Sequence, residues 1–283
     1  MKNKLFVGLA AAALAVIPAT SALADSHLGS LSVITEAISV DTDGVEVVAV
    51  HGVPSETFSA LGVDSTAVDI YVNDDLLLEG VEFGDSAVQS GLPEAEYTVD
   101  IRVAGSDADS DPLLTLGPAE LADGSYSIVA HLDTDGAPVL EAYGNDTSEG
   151  AGIQPFHTAN FGAVDILAGG DAVLAGVTNG QTAIIATGPG EVPDVGIAAA
   201  GSDEAALSLG TVDVPEDTVV LAYAVGQLPP EDADDAEEME APEEEHSPGE
   251  AGLAATSLPT WVVALMALGA LTVAAPVVAR KRN

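Results

Sequence analysis

The chain has 283 residues, with 46 aspartates and glutamates against six lysines and arginines, and no cysteine. Every acid lies between Asp25 and Glu250, where Arg102 is the only lysine or arginine, so that span carries 1 − 46 = −45. Such a surface excludes nucleic acid and anionic membranes as its partners, since both need positive charge to displace counterions; disulfides and thiolate metal sites are excluded with the cysteines.

Residues 1–24 read as a secretory signal peptide: Lys2 and Lys4, an apolar run from Leu5 to Ile17, and small residues ending at Ala24. The run is too short to span a bilayer. Residues 25–44 form an N-terminal lead without an assigned strand.

Two copies of one unit follow. Residues 67–106 set over 163–202 without a gap agree at 16 of 40 positions, including AVDI at 67 and 163, Gly80 with Gly176, and AGS at 104 and 200. Within a copy the period is two: Val68, Ile70 and Val72 alternate with Asp69, Tyr71 and Asn73, which predicts strands with one buried face. Residues 67–81, echoed 96 residues later, read as that strand, a turn and the start of another. Further strands are predicted at 45–51, 97–104, 113–116, 126–132 and 138–143. The second copy adds 153–157, 182–186, 195–199, 206–212 and 219–225. Asn-Asp-Asp, Asp-Gly and Gly-Gly mark the turns. The fold class is therefore all-β: two tandem immunoglobulin-like β-sandwich modules, residues 45–146 and 147–228. The second copy has Ala172 and Ala199 where the first has Leu76 and Val103, so standing alone it is expected to unfold first.

Residues 229–257 are rich in Glu, Asp, Ala and Pro and predict a disordered acidic stalk. Residues 258–279 carry no charge over a length sufficient for one transmembrane helix, and Arg280, Lys281 and Arg282 begin a basic tail, 280–283. By the positive-inside rule the tail is cytoplasmic, which makes the chain an exported single-pass protein of the cell membrane, its partner there the lipid bilayer. Leu258-Pro259-Thr260-Trp261 begins like the LPxTG sorting pentapeptide but lacks its Thr-Gly, which favours a retained helix. The acidity resembles that of proteins from salt-rich habitats, with a shell of divalent cations as the competing explanation. Either way it implies self-repulsion that reaches about 30 Å at about 0.01 M salt and about 3 Å at about 1 M.

The stretches VVAVHGVP at 47–54, AVDIYVN at 67–73 and LPEAEYTV at 92–99 resemble a bacterial extracellular family known as domain of unknown function 4397, over roughly residues 45–228. That family shows a strand ending in Val-His, a Pro-containing loop, a Val-Asp-Val-Tyr-Val strand and a Leu-Pro-x-Gly-x-Tyr-Thr-Val segment. The third stretch is one residue longer than its counterpart and lacks the glycine. His51 and Asp69 are 18 residues apart, His157 and Asp165 only 8, so copy one carries a ten-residue loop insertion. The second copy also lacks the loop proline and the strand tyrosine. The resemblance implies surface-attached β-sandwich modules and brings no activity with it.

Candidate chemistry is sparse. His51 and His157 head the two copies; as ligands or general bases they would need partners, and no Gly-x-Ser-x-Gly elbow accompanies them. They are read as strand-end histidines hydrogen-bonded to the neighbouring loop. Asp69 and Asp165 sit mid-strand, where aspartate is a poor strand former, and are expected to accept backbone N–H groups from the His-to-Asp loop; a cation site is the alternative, with one carboxylate per copy too few for the six to eight oxygens calcium takes. Asp107, Asp109 and Asp111 open like a calcium loop, but Pro112 and Pro118 replace the glycine and glutamate such a loop needs, which leaves a weak calcium site against a solvated turn. Arg102 is expected outward in an exposed ion pair. No catalytic residue and no cofactor other than calcium is indicated. The reading is a non-enzymatic cell-surface protein with a structural or adhesive role toward a surface protein or glycan. A calcium-dependent binding module is the alternative.

Overall fold

The computed structural model describes residues 30–227 apart from 42, 64 and 108. The predicted signal peptide, the stalk, the transmembrane helix and the basic tail lie outside the described residues. Among the described residues no helix is long and apolar enough to cross a membrane.

The chain opens with β1 (Ser32–Ser39). Copy one contains β2 (Val45–His51), a short helix α1 (Ser55–Ala60), β3 (Ala67–Val72), β4 (Asp75–Glu82), β5 (Ser86–Leu92), β6 (Ala95–Val103), β7 (Leu114–Leu121), β8 (Gly124–Leu132) and β9 (Pro138–Gly144). Copy two contains β10 (Gly152–His157), β11 (Val164–Ala168), β12 (Asp171–Val177), the two-residue β13 (Gln181–Thr182) and β14 (Ile185–Ala186), β15 (Gly190–Ala199), β16 (Ala205–Val214) and β17 (Thr218–Val225). The all-β expectation holds.

Four sheets result. Copy one has an outer sheet β4-β3-β6-β7 and an inner sheet β5-β2-β8-β9; copy two has an outer sheet β12-β11-β15-β16 and an inner sheet β1-β17-β10-β13, with β14 also on β10. The outer sheets are antiparallel throughout, whereas each inner sheet contains one parallel pair, β2 with β8 and β10 with β17. The Asn73-Asp74 turn between β3 and β4 takes positive φ at both residues, as a two-residue hairpin requires.

Residue pattern explains which sheets lie inside. VEVVAVH in β2 and TVVLAYAV in β17 are nearly continuous apolar runs, the signature of strands buried on both faces. Val45 and Val47 pack toward the outer sheet of copy one with Ile70, Tyr97 and Val99. Val48 and Val50 turn the other way and join Val129, Ile34, Ile38, Phe156, Val219, Leu221, Tyr223 and Val225 in one cluster. That cluster is built from the inner sheets of both copies, so the layers run outer, inner, inner, outer. Phe156 stacks on Tyr223 at 4.6 Å between centroids, and Tyr143 meets Phe156 edge-on at 5.7 Å. Each large apolar side chain buried there stabilises by about 1.5–3 kcal/mol before entropy is charged. Copy two therefore does not stand alone: its inner sheet, on which the alanine-rich outer sheet packs, shares this core with copy one.

A polar line crosses the same contact. Glu46, buried on the inner face of β2, accepts from Ser90 Oγ at 2.8 Å and Ser125 Oγ at 3.1 Å. Asn145 Nδ2 donates to Ser125 Oγ, Ser127 Oγ donates to Asn145 Oδ1, and the Tyr223 hydroxyl reaches Ser127 Oγ at 2.6 Å. Hydrogen bonding to groups this buried fixes how the two sheets sit against each other.

Two strands are absent from the sequence expectation. SAVQSGL in β5 has only Val88 and Leu92 as large apolar residues among small and polar ones, and its pairing partner β2 supplies the order. β1 lies in the lead and pairs antiparallel with β17, from Ser32 opposite Val225 to Ser39 opposite Thr218. In copy one the corresponding place beside β8 is filled by β9, the very next strand.

Candidate functional site

The histidines gather at one end of the inner sheets. His51 ends β2, His157 ends β10, and His131, which sequence reasoning missed, lies next to the end of β8; all three are almost fully buried. The two parallel pairs place equivalent strand ends at equivalent heights, which is why His51 lies opposite Ala130 and His157 opposite Ala224.

His157 behaves as expected: its Nε2 bonds the Gly162 carbonyl at 2.9 Å in the following loop. His51 departs. The inserted loop of copy one folds into α1, whose Phe58 is buried and stands 5.7 Å from the His51 ring, so apolar surface occupies the place of a carbonyl partner. Neither ring nitrogen of His51 has a hydrogen-bond partner. Burial pushes its pKa down to about 4, with Asp85 opposing. Burial also lowers His157, partly opposed by its carbonyl bond.

His131 has a different shell. Nδ1 donates to the Leu132 carbonyl at 2.9 Å, while Nε2 lies 3.2 Å from Glu141 Oε2 and 3.0 Å from the Tyr143 hydroxyl, which donates to the same carboxylate oxygen at 2.6 Å. The Tyr143 bond holds the Glu141 carboxyl below the usual carboxylate range, with His131 adding to it. Burial raises Tyr143, and Glu141 raises it further. Within the trio Glu141 reaches solvent and the His131 ring does not. Asn179 Nδ2 ties the copies together beside it by donating to the carbonyls of Leu132 and Ala159 at 2.9 and 2.8 Å. The ring nitrogens and one tyrosine were legible only as residue types, because 131, 141 and 143 meet through the β8–β9 hairpin.

Asp69 and Asp165 do accept backbone N–H groups, but from other donors than expected. Asp69 takes Gly80 N at 2.8 Å and Gly105 N at 2.9 Å; Asp165 takes Gly176 N and Gly201 N, both at 2.7 Å. All four glycines have positive φ, from 67 to 81°, and the strand registers shift beside them. Each carboxylate thus pins a left-handed bulge on one neighbouring strand and the turn after the other. The role is architectural and is repeated at identical spacing in both copies.

Arg102 is not exposed. It pairs with Asp100 at 3.1 Å, lies over the Tyr71 ring at 4.7 Å and is 5% accessible, because the aromatic ring beside it on β3 offers a covering face. Among the described residues no lysine or arginine therefore faces solvent. Asp107, Asp109 and Asp111 are exposed on the loop after β6, and Ser110 N donates to the Asp107 carbonyl in a tight turn. Among the described residues no three His, Cys, Asp or Glu side chains are grouped to hold a metal ion. Between the edge strands β4 and β5 copy one opens into a narrow apolar slot lined by Leu78, Val88, Leu92, Tyr97 and Val99.

Residues 45–166 match a family model described as Domain of unknown function (DUF4397). The match runs from the start of β2 through all of copy one to Ile166 in β11, one residue past the second clamp aspartate. No curated protein matches the chain.

Proposed function

We propose that the chain is a non-enzymatic cell-surface protein in which two immunoglobulin-like sandwich modules, both of the family matched at 45–166, form one stiff head. In this reading residues 1–24 direct export, 229–257 form the stalk, 258–279 hold the chain in the membrane and 280–283 stay in the cytoplasm. The head's role is structural or adhesive, toward a surface protein or glycan. The observation that supports it is the apolar cluster shared by the inner sheets, which makes a head without a hinge at the junction of the copies. A structural or ligand-presenting element gains from such stiffness, because no freedom between the copies remains to be lost on contact. The uniformly anionic exterior keeps heads apart and soluble at low salt.

The test is protease shaving of intact cells carrying one epitope in the Asp133–Gly136 turn and another after Asn283. The account expects the first to be removed and the second protected. Loss of both, or protection of both, overturns it.

A further inference from the structure

In both copies the inner sheet is flanked by a strand beside the last member of the parallel pair. Copy one supplies it locally: five residues, 133–137, separate β8 from β9. Copy two takes it from the far end of the fold, since β1 ends 218 − 39 = 179 residues before β17 begins. We propose that β1 is an exchangeable strand, able to leave its own β17 and complete the inner sheet of a second copy of this chain.

Four observations carry this. All backbone pairing of β1 as a strand is with β17, and among the described residues no strand precedes it. Its joint to the rest is the five residues 40–44, and a short joint between two sheets favours opening into exchange over closing on itself. The place it fills is specific: Ile34 and Ile38 enter the shared core, Glu36 accepts from Ser86 Oγ, and Ser30 bonds Gln227. At the far end Gly226, with φ +90°, lets the Ser30 carbonyl approach where any Cβ would collide. An incoming β1 from another chain remakes each of these contacts, so exchange loses nothing inside the sheet. What opposes it is repulsion between two anionic heads, which salt screens.

The probes are two ectodomain chains, one with Ser39→Cys and one with Thr218→Cys, at positions that face each other across β1 and β17. The protein has no cysteine of its own, so any disulfide reports this pair. The chains are unfolded together, refolded at high concentration in about 1 M salt and oxidised. The expected result is a mixed disulfide in at least about tenfold excess over either homodimer, which is 1.4 kcal/mol of preference, and which falls as salt or protein is diluted before refolding. Absence of interchain disulfide, while a chain carrying both cysteines closes its own, overturns the proposal. Light scattering on the cysteine-free chain asks the same without the disulfide. A dimer abolished by inserting five Gly/Ser residues after Val40 supports exchange; a monomer throughout, or a dimer indifferent to the insertion, overturns it.

Discussion

The two copies present the same histidine at the same strand end and treat it oppositely. In copy two the loop from His157 to Asp165 is short, and its Gly162 carbonyl satisfies Nε2. In copy one ten extra residues bring Phe58 over the ring and leave both nitrogens of His51 without partners. An insertion that adds apolar cover to a sandwich end thus removes polar satisfaction from the residue beneath it. The aspartates teach the converse: Asp69 and Asp165 keep identical partners because the glycines they hold recur at the same spacing in both copies.

Variants can press on that comparison. The largest effect is expected where the copies cease to be separate. Phe156→Ala removes a ring stacked on Tyr223 and touching Tyr143, and should cost about 3–5 kcal/mol. Denaturation followed by probes in each copy should shift by the same amount. A shift confined to copy two would mean the inner sheets are coupled weakly.

Acid should separate the histidines next. His51 titrates at 6.5 when unfolded and about 4 when folded, so between those values the unfolded chain binds more protons. Stability from this residue is full above about pH 6.5, falls as pH drops toward 4 and is level below that. The loss is about 3 kcal/mol. Comparing wild type with His51→Leu by urea unfolding across this window isolates the residue; parallel curves would contradict the desolvated environment. His157 should act with the same sign.

The clamps come third. Asp69→Asn and Asp165→Asn each leave one backbone N–H facing an amide donor, at a cost of about 1.5–3 kcal/mol. The sites lie in opposite outer sheets with both inner sheets between them, so the double variant should add to within about 0.5 kcal/mol. Strong non-additivity would show that the outer sheets communicate. Last is Gly52→Ala, whose new Cβ would lie 2.5 Å from Val225 Cγ1 and 2.8 Å from Val225 Cβ, a buried and stiff β-branched side chain, so the backbone must shift to admit it. It should cost about 1–3 kcal/mol by wedging the inner sheets apart, measured by the same unfolding curves.

Much of the fold was readable because period-two alternation survives over Tyr97–Ile101 of β6; in β3 it marked the strand, but Asp69 and Tyr71, on the face expected outward, are buried as well. The continuous runs 45–51 and 219–225 also signalled strands, and their lack of a polar face was the legible sign of burial on both sides. The shared core was missed because pairing one copy's surface with the other's is a tertiary matter that neither repeat contains. β1 was missed for a related reason: its partner is at the opposite end of the head, and a local pattern such as SVITEAIS does not name it. Arg102 was placed outward by correct alternation, yet the outward face is covered by its own Tyr71 and Asp100. His131 carried no signal until the hairpin brought Glu141 and Tyr143 to it.

Scanning calorimetry of the ectodomain in about 1 M salt, where repulsion between the acidic surfaces is screened, tests the joined core most directly. The account expects a single transition in which the calorimetric and van't Hoff enthalpies agree. Two resolved transitions, with copy two melting before copy one, would contradict it.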